Sequence, residues 1–380
     1  MNYYIEEIQT SEGVQKTAGV KARDDADCIF KECGLEELLV ENSSKGRGGN
    51  FVIRLISHAT VNAAWKRTLE KLNSGDKVFV QFPCIEHSIF LSNTLKKLTE
   101  RGVEIVLLIH DLELLRISKR KDVSLAKRVR LRIEEKNTLL CATKIIAHND
   151  SMKKFLSDMG VEEKRIRVLE IFDYLILGFS EESLRCSDNK RTDPVIIAGN
   201  LRKHKAEYAY HLPQIPRFNL YGVGYETTPQ SNIDYKGSFN PNELVYAMDG
   251  SFGLVWDGKS AQTCMGVYGD YLRINNPHKT SLYLAAEKPV IIWKEAALAN
   301  FVKQNHCGIL ISSLDEIAEA IKQLSDTEYR KIQQSTQEIG KRFAMDITLK
   351  SGKGYSVNGD SSRLCTVDFS NKIINDIKKG

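Results

Sequence analysis

The sequence predicts two α/β domains, each built on a mostly parallel sheet. Three observations carry that expectation. Short, continuous apolar runs alternate with helical patterns almost from end to end. The runs are rich in β-branched residues, which suits strands covered on both faces. At 380 residues the chain is longer than one hydrophobic core usually organises.

Residues 78–83 (VFVQFP), 104–110 (EIVLLIH), 144–149 (KIIAHN) and 166–172 (IRVLEIF) read as strands of a first sheet. Residues 194–200 (PVIIAGN), 218–222 (FNLYG), 251–257 (SFGLVWD), 289–293 (PVIIW) and 308–311 (GILI) read as strands of a second. Helices fall between them. Leu91, Leu95 and Leu98 share one face before Gly102, a helix stop. Leu314, Ile317, Ile321 and Leu324 do the same after Ser313, which forms a capping box with Glu316. The polar, aperiodic stretch before the second set reads as a linker. The expected organisation is an N-terminal domain at 1–178, a linker at 179–193, a C-terminal domain at 194–344, and a polar loop with a short terminal helix at 345–380. The loop, around 350–362, is rich in Gly and Ser, and the terminal helix is a candidate to return to the first domain.

Composition excludes several classes. Hydrophobic residues at 42% and charged residues at 27% fit a soluble globular protein. No stretch approaches the roughly 20 apolar residues of a membrane span, and the N-terminus lacks the pattern of a signal peptide. The eight cysteines are scattered singly with no C-x-x-C pair, so a reducing cytoplasm is expected and a disulfide framework or zinc site is not. A net charge of +5 is too mild to argue for nucleic acid.

In open α/β sheets ligands bind beyond the carboxyl ends of strands, and the informative residues lie there. Asn200 and Arg202, with Lys203 and Lys205, follow the strand PVIIA. They suit a diphosphate or, read plainly, a solvated basic loop. Asn276, His278 and Lys279 stand at a helix start after Pro277. A lysine there is unfavourable unless an anion sits beside it. His110 and Asp111 end a strand of the first domain, where either could take a proton, or Asp111 could cap the next helix. Asp257 follows Trp256, and Asp270 lies between Tyr268 and Tyr271; carboxylates and aromatic rings suit a sugar, although turns look similar. Asp25-Ala26-Asp27 resembles a D-x-D metal motif but falls on a helical pattern, so no metal is expected. Basic residues Arg116, Lys119, Arg120, Lys121, Lys127, Arg128, Arg130 and Arg132 alternate with Val123, Leu125, Val129 and Leu131. That is either a surface for anionic lipid or an ordinary solvated helix face.

Seven segments together resemble the bacterial β-1,6-galactofuranosyltransferases of O-antigen and polysaccharide synthesis. They are AGVKARDDA (18–26), LIHDLELLR (108–116), KIIAHNDSM (144–152), IFDYL (171–175), AGNLRKHK (198–205), FGLVWDG (252–258) and YGDYLRINNPHKTSLYLAAEKPVIIW (268–293). The last is the most specific. A more distant resemblance is to streptococcal glucosyltransferases that extend glycans on serine-rich adhesins. The resemblance implies a GT-B fold of two Rossmann-like domains facing across a cleft, and transfer of galactofuranose from UDP-galactofuranose to a glycan hydroxyl with inversion; with Arg202, Lys279 and the helix start to meet the diphosphate charge, no metal or other cofactor is expected. It implies that Arg202 and Lys279 hold the diphosphate, that Tyr221 contacts the nucleoside, and that Asn200, Asn276 and His278 are further donor contacts. Asp257 and Asp270 would read sugar hydroxyls, and Asp111 or His110 would be the base. The competing readings are a β-glucosyltransferase using UDP-glucose and a non-catalytic GT-B-like glycan-binding subunit. A lipid-linked acceptor, peripheral contact with an anionic membrane at its inner face, and a homo-oligomer are all compatible with the sequence.

Overall fold

A computed structural model describes residues 1–9, 18–42, 51–117, 123–176, 189–226, 230–343, 347–350, 354–357 and 368–379. The chain groups into two compact units. The first comprises Met1–Val14, Ala26–Leu169 and Ile373–Gly380, and the second Gln15–Asp25 and Glu170–Lys372.

The first unit contains, in chain order, β1 (Asn2–Gln9), α1 (Ala18–Glu32, whose first turns group with the second unit), β2 (Glu36–Asn42), α2 (Phe51–Leu69), β3 (Lys77–Phe82), α3 (Leu91–Glu100), β4 (Glu104–Ile109), α4 (Glu113–Ile117), α5 (Leu125–Leu131), α6 (Asn137–Cys141), β5 (Lys144–Ala147), α7 (Asp150–Asp158) and β6 (Ile166–Val168). A π-helical turn, Arg132–Lys136, joins α5 to α6. The sheet order is β2-β1-β3-β4-β5-β6, all parallel. From Val78 to Phe82 and from Ile105 to Ile109 every residue is buried, as a strand covered on both faces requires. Two predicted strands end early. Asn149 leaves the fifth strand and caps α7 instead, its side chain accepting from the Met152 N–H.

The second unit contains β7 (Val195–Asn200), α8 (Lys203–Ala206), β8 (Phe218–Val223), β9 (Ile233–Gly237), α9 (Pro241–Ala247), β10 (Gly253–Val255), α10 (Gly266–Tyr271), α11 (His278–Ala285), β11 (Val290–Trp293), α12 (Ala299–Gln304), β12 (Gly308–Ile311), α13 (Ile317–Gln323) and α14 (Asp326–Phe343). A two-stranded antiparallel hairpin, β13 (Ile347–Lys350) and β14 (Gly354–Val357), and the helix α15 (Asp368–Lys379) follow. The six-stranded sheet is parallel, in the order β12-β11-β10-β7-β8-β9. The order in which successive strands are added reverses between β7 and β10, the topological switch point where open α/β sheets bind ligands.

The structure departs from the sequence reading in three places. The 350–362 stretch is not all loop, because Gly354–Val357 pairs with Ile347–Lys350; residues 351–353 and 358–362 lie outside the described residues. Of the 179–193 linker, residues 179–188 lie outside them too. Arg191 is tied to Asp326 and to the Ile321 carbonyl, so the linker's end belongs with the second unit. Gln15–Asp25 also groups with the second unit instead of the first. Lys21 there is buried, paired with Asp25 and with the Leu175 carbonyl, while Asp25 accepts the Leu175 N–H. The end of α15 groups with the first unit: Lys77 donates to the carbonyls of Ile377 and Lys378, and Lys378 to that of Cys33.

Candidate active site

At the switch point of the second sheet, the ends of β7 and β10 carry the predicted donor residues. β7 and its neighbour β8 end in glycines that face each other. An added Cβ on Gly222, whose φ is 149°, would lie 1.7 Å from the Gly199 carbonyl oxygen, so only glycine fits. Beyond them, the Asn200 side chain accepts the Arg202 N–H at 3.1 Å and sets the turn into the four-residue helix α8. Arg202 is exposed, and its side chain lies across Gly224.

From the other side of the switch point, Trp256 and Asp257 follow β10. Lys279, one residue inside α11, donates to the Asp257 carboxylate at 2.9 Å and to the Trp256 carbonyl at 3.0 Å. The lysine is therefore offset by a carboxylate already present at the helix start. Sequence reasoning named both residues but did not foresee that they pair. The pair's side chains are only 15% and 12% exposed, so their positions are well defined by packing. Gly258, at φ 107°, keeps this turn tight: a Cβ would meet the Met265 carbonyl at 2.3 Å. Its N–H and carbonyl bond Lys205 and Tyr208, which ties the ends of β7 and β10 together. Lys205 in turn stands 5.7 Å from the Tyr268 ring centroid. Asp270, on α10, is exposed.

Four predicted contacts have other tasks. The Tyr221 side chain is buried in the core, and its hydroxyl accepts the Asp249 N–H at 3.0 Å. Asn276 is buried and donates to the Glu170 carbonyl at 2.7 Å. The His278 ring packs against Phe172 and Tyr174, with Nε2 facing the Asp173 carbonyl at 3.2 Å. Burial, and then the nearby Lys21 charge, push its imidazole down to about 3. Trp256 is wholly buried against Trp293, so its ring is core and offers no platform for a sugar. Apolar strands next to a site draw aromatic and amide side chains inward, and a sequence motif does not reveal which way they point.

In the first unit, β4 ends at His110 and Asp111. The His110 N–H bonds the Phe82 carbonyl at 2.7 Å and extends the ladder by one residue. Asp111 pairs with Arg116, and its other oxygen accepts the Leu112 N–H at 2.9 Å. Glu135, buried in the π-helical turn, accepts the Glu113 and Leu114 N–H groups and closes the start of α4. Burial pushes its carboxyl up to about 7. His110 Nε2 meets Gln81 Oε1 on β3 at 2.6 Å, and Gln81 Nε2 donates to Asp27 on α1 at 2.6 Å. Sequence reasoning missed Gln81 altogether, since an amide inside an apolar strand reads as an interruption. Among the described residues no group of three or more His, Cys, Asp or Glu is arranged to hold a metal ion.

Two parallel Rossmann-like sheets, with Arg202 and Lys279 beyond the strands at the switch point of the second, define a glycosyltransferase of the GT-B type. Solved structures agree on the fold. Anabaena Alr3699/HepE, solved in complex with UDP-glucose, matches with a TM-score of 0.54 at 13% identity, covering 100% of both chains. Sucrose-phosphate synthase from Thermosynechococcus elongatus matches at 0.55 and 12% identity, covering 90% of this chain and 94% of that one. Residues 2–171 match the N-terminal domain, and residues 195–351 the C-terminal domain, of glucosyltransferase 3-like proteins. The chain belongs to this glucosyltransferase 3-like family. The β-1,6-galactofuranosyltransferase WbbI of Escherichia coli K12 is 34% identical over 343 residues, 90% of this chain and 94% of that protein. Glucosyltransferase 3 of Streptococcus parasanguinis is 25% identical over 68% of this chain and 71% of its own length.

Proposed function

We propose that the protein transfers galactofuranose from UDP-galactofuranose to a glycan hydroxyl, with inversion, in the synthesis of a cell-surface polysaccharide. The observation that carries this reading is the Lys279–Asp257 pair at the switch point, one strand away from the exposed Arg202. A cation held by a neighbouring carboxylate is preorganised for a diphosphate, and Arg202 is a second charge-assisted donor. Asp257 and the exposed Asp270 are then suited to accept from sugar hydroxyls. The 34% identity to a β-1,6-galactofuranosyltransferase favours this donor and linkage over UDP-glucose, the alternative suggested by the streptococcal relatives.

On the acceptor side His110 is the better base. Asp111 is engaged by Arg116 through one oxygen and by the Leu112 N–H through the other, so its carboxylate is already committed. Attack by the acceptor oxygen forms the new bond to the anomeric carbon as the bond to UDP breaks. The proton passes to His110, and the leaving charge falls on the diphosphate, met by Lys279 and Arg202. With two cations in that role the reaction needs no metal. A lipid-linked acceptor, presented at the inner face of an anionic membrane, completes the reading. Exposed aliphatics on α2 and α5, with arginines beside them, are its support.

Isothermal titration with UDP in EDTA tests it. The wild type should bind, and Lys279→Ala should bind about tenfold more weakly or worse, the loss expected for one hydrogen bond to a charged group. UDP-galactofuranose should then be turned over in preference to UDP-glucose. Absence of UDP binding with and without magnesium would favour a non-catalytic glycan-binding subunit. Preference for UDP-glucose would leave the fold and base unchanged and replace the donor.

A further inference from the structure

Three side chains on three separate elements of the first unit form a continuous hydrogen-bonded chain: Asp27 on α1, Gln81 on β3, and His110 at the end of β4. We propose that Asp27 and Gln81 are positioning residues that fix the tautomer of His110, so that its Nδ1 is the atom that takes the acceptor's proton. This inference rests on the reading of His110 as the base.

The chemistry of each group dictates the next. A carboxylate only accepts hydrogen bonds, so the Gln81 atom 2.6 Å from Asp27 is the amide nitrogen. The amide oxygen must then be the atom that faces His110, also at 2.6 Å. An amide oxygen only accepts, so the imidazole nitrogen facing it, Nε2, carries the hydrogen. In a neutral ring the lone pair is then on Nδ1. One fixed charge on α1 thereby decides, through an amide that is itself neutral, which nitrogen of a histidine is basic.

The packing enforces the arrangement. Gln81 is 5% exposed, one residue before the end of a strand whose other residues from Val78 to Phe82 are all apolar and buried. A buried amide in such a strand is costly unless both of its ends are bonded, and here both are. Leucine or valine would fill that position at lower cost, so an amide there calls for a task beyond packing. When the proton moves, the ring becomes an imidazolium whose Nε2–H still donates to the Gln81 oxygen. Asp27 polarises that amide in the stabilising direction. The proton thus goes from the acceptor hydroxyl to Nδ1, the acceptor oxygen bonds the anomeric carbon, and the electron pair of the broken bond leaves with UDP. No co-reactant is required.

The test is nitrogen NMR of the full-length protein labelled at histidine, with the His110 signals assigned by their loss in His110→Gln. The expected result is the Nε2–H tautomer in the wild type and a mixture of tautomers in Gln81→Leu. In Gln81→Leu, kcat should fall about tenfold to a hundredfold, less than the roughly hundredfold to ten-thousandfold that general-base catalysis supplies, because His110 itself remains. UDP affinity and the donor KM should not change, which shows that the variant is folded. Asp27→Asn can still present an oxygen to the Gln81 amide, so it should keep the tautomer and recover most of the rate that Asp27→Leu loses. An Nδ1–H tautomer in the wild type would overturn the proposal outright. An Nε2–H tautomer combined with undiminished transfer by His110→Gln would overturn the catalytic use of the chain, and with it His110 as the base, without touching the donor assignment.

Discussion

Two buried ionisable side chains in the second unit pull the pH dependence of stability in opposite directions. His278 is held neutral, its imidazole pushed down to about 3 by burial and by Lys21. An unfolded histidine takes up a proton near pH 6.5. Below that value the unfolded chain binds a proton the folded one refuses, so this residue's contribution to stability is lost as pH falls from about 6.5 toward 3. Asp25 behaves in reverse. Burial, opposed by Lys21, pushes its carboxyl up to about 7. Its contribution is therefore full at low pH and is lost as pH rises through about 7. Calorimetry of His278→Gln against wild type between pH 7 and 4.5 separates the two. The melting temperature of the variant relative to wild type should rise steadily as pH falls below 6.5, because only the histidine has been removed. A constant difference would mean that His278 is not held neutral.

At the scale of elements, the apolar strands were legible, the edge strands β6 and β12 among them, and the charged strands β1, β2 and β9 were not. β3, β4, β7, β10 and β11 announce themselves as continuous apolar runs because helices cover both of their faces. β2 and β9 are edge strands, and β1 lies next to an edge. Their charged residues, such as Glu6, Glu7 and Glu37 or Asp234 and Lys236, break the run that reveals a buried strand. The site divides in the same way. Arg202, Lys279 and His110 stand where a strand end and a helix start put them. The pairing of Lys279 with Asp257 and the bonding of Gln81 depend on contacts 22 to 54 residues apart, which no local pattern encodes. The basic segment is likewise only half as predicted. Lys127 pairs with Glu113 and Arg130 with Glu134, and Lys119 to Lys121 lie outside the described residues. What remains exposed is an aliphatic stripe, Leu125, Val129 and Ile133, beside Arg132. The first turns of α2 show Val52, Ile53, Leu55 and Ile56 around Arg54 in the same manner. α2 follows β2, so its first turns lie toward the carboxyl edge of the first sheet, the edge that carries His110, whereas α5 follows the helix α4. Neither exposed end carries a carboxylate. Vesicle flotation should show binding to anionic but not neutral lipid, weakened several-fold in Ile53→Ser/Ile56→Ser and by raised salt. Equal binding to neutral vesicles, or a dimer dispersed by the same substitutions, would assign the surface elsewhere.

At the scale of the whole molecule, the chain does not divide at a single cut. Residues from both ends of the sequence change company: Gln15–Asp25 groups with the second unit and Ile373–Gly380 with the first. The last turn of α15 supplies carbonyls to Lys77, and Lys378 reaches the Cys33 carbonyl. Ile374 and Ile377 are buried. Deleting residues 373–380 should therefore lower the melting temperature of the first unit by several degrees, while UDP binding by the second unit survives. Loss of UDP binding without any loss of thermal stability would contradict this grouping.

The facing glycines at the ends of β7 and β8 bear on how the enzyme could be redirected to other nucleotide sugars. A mutagenesis library spread evenly over the loops of the proposed donor site would waste much of its diversity at positions 199, 222 and 258, where the backbone conformation or the nearest carbonyl excludes a side chain. Diversity belongs instead at Lys203, His204 and Asp270, which are exposed on the short helices around those turns and free to vary without moving a strand. The rigidity of the turns then works in the experimenter's favour, because every variant presents its new side chain from the same scaffold.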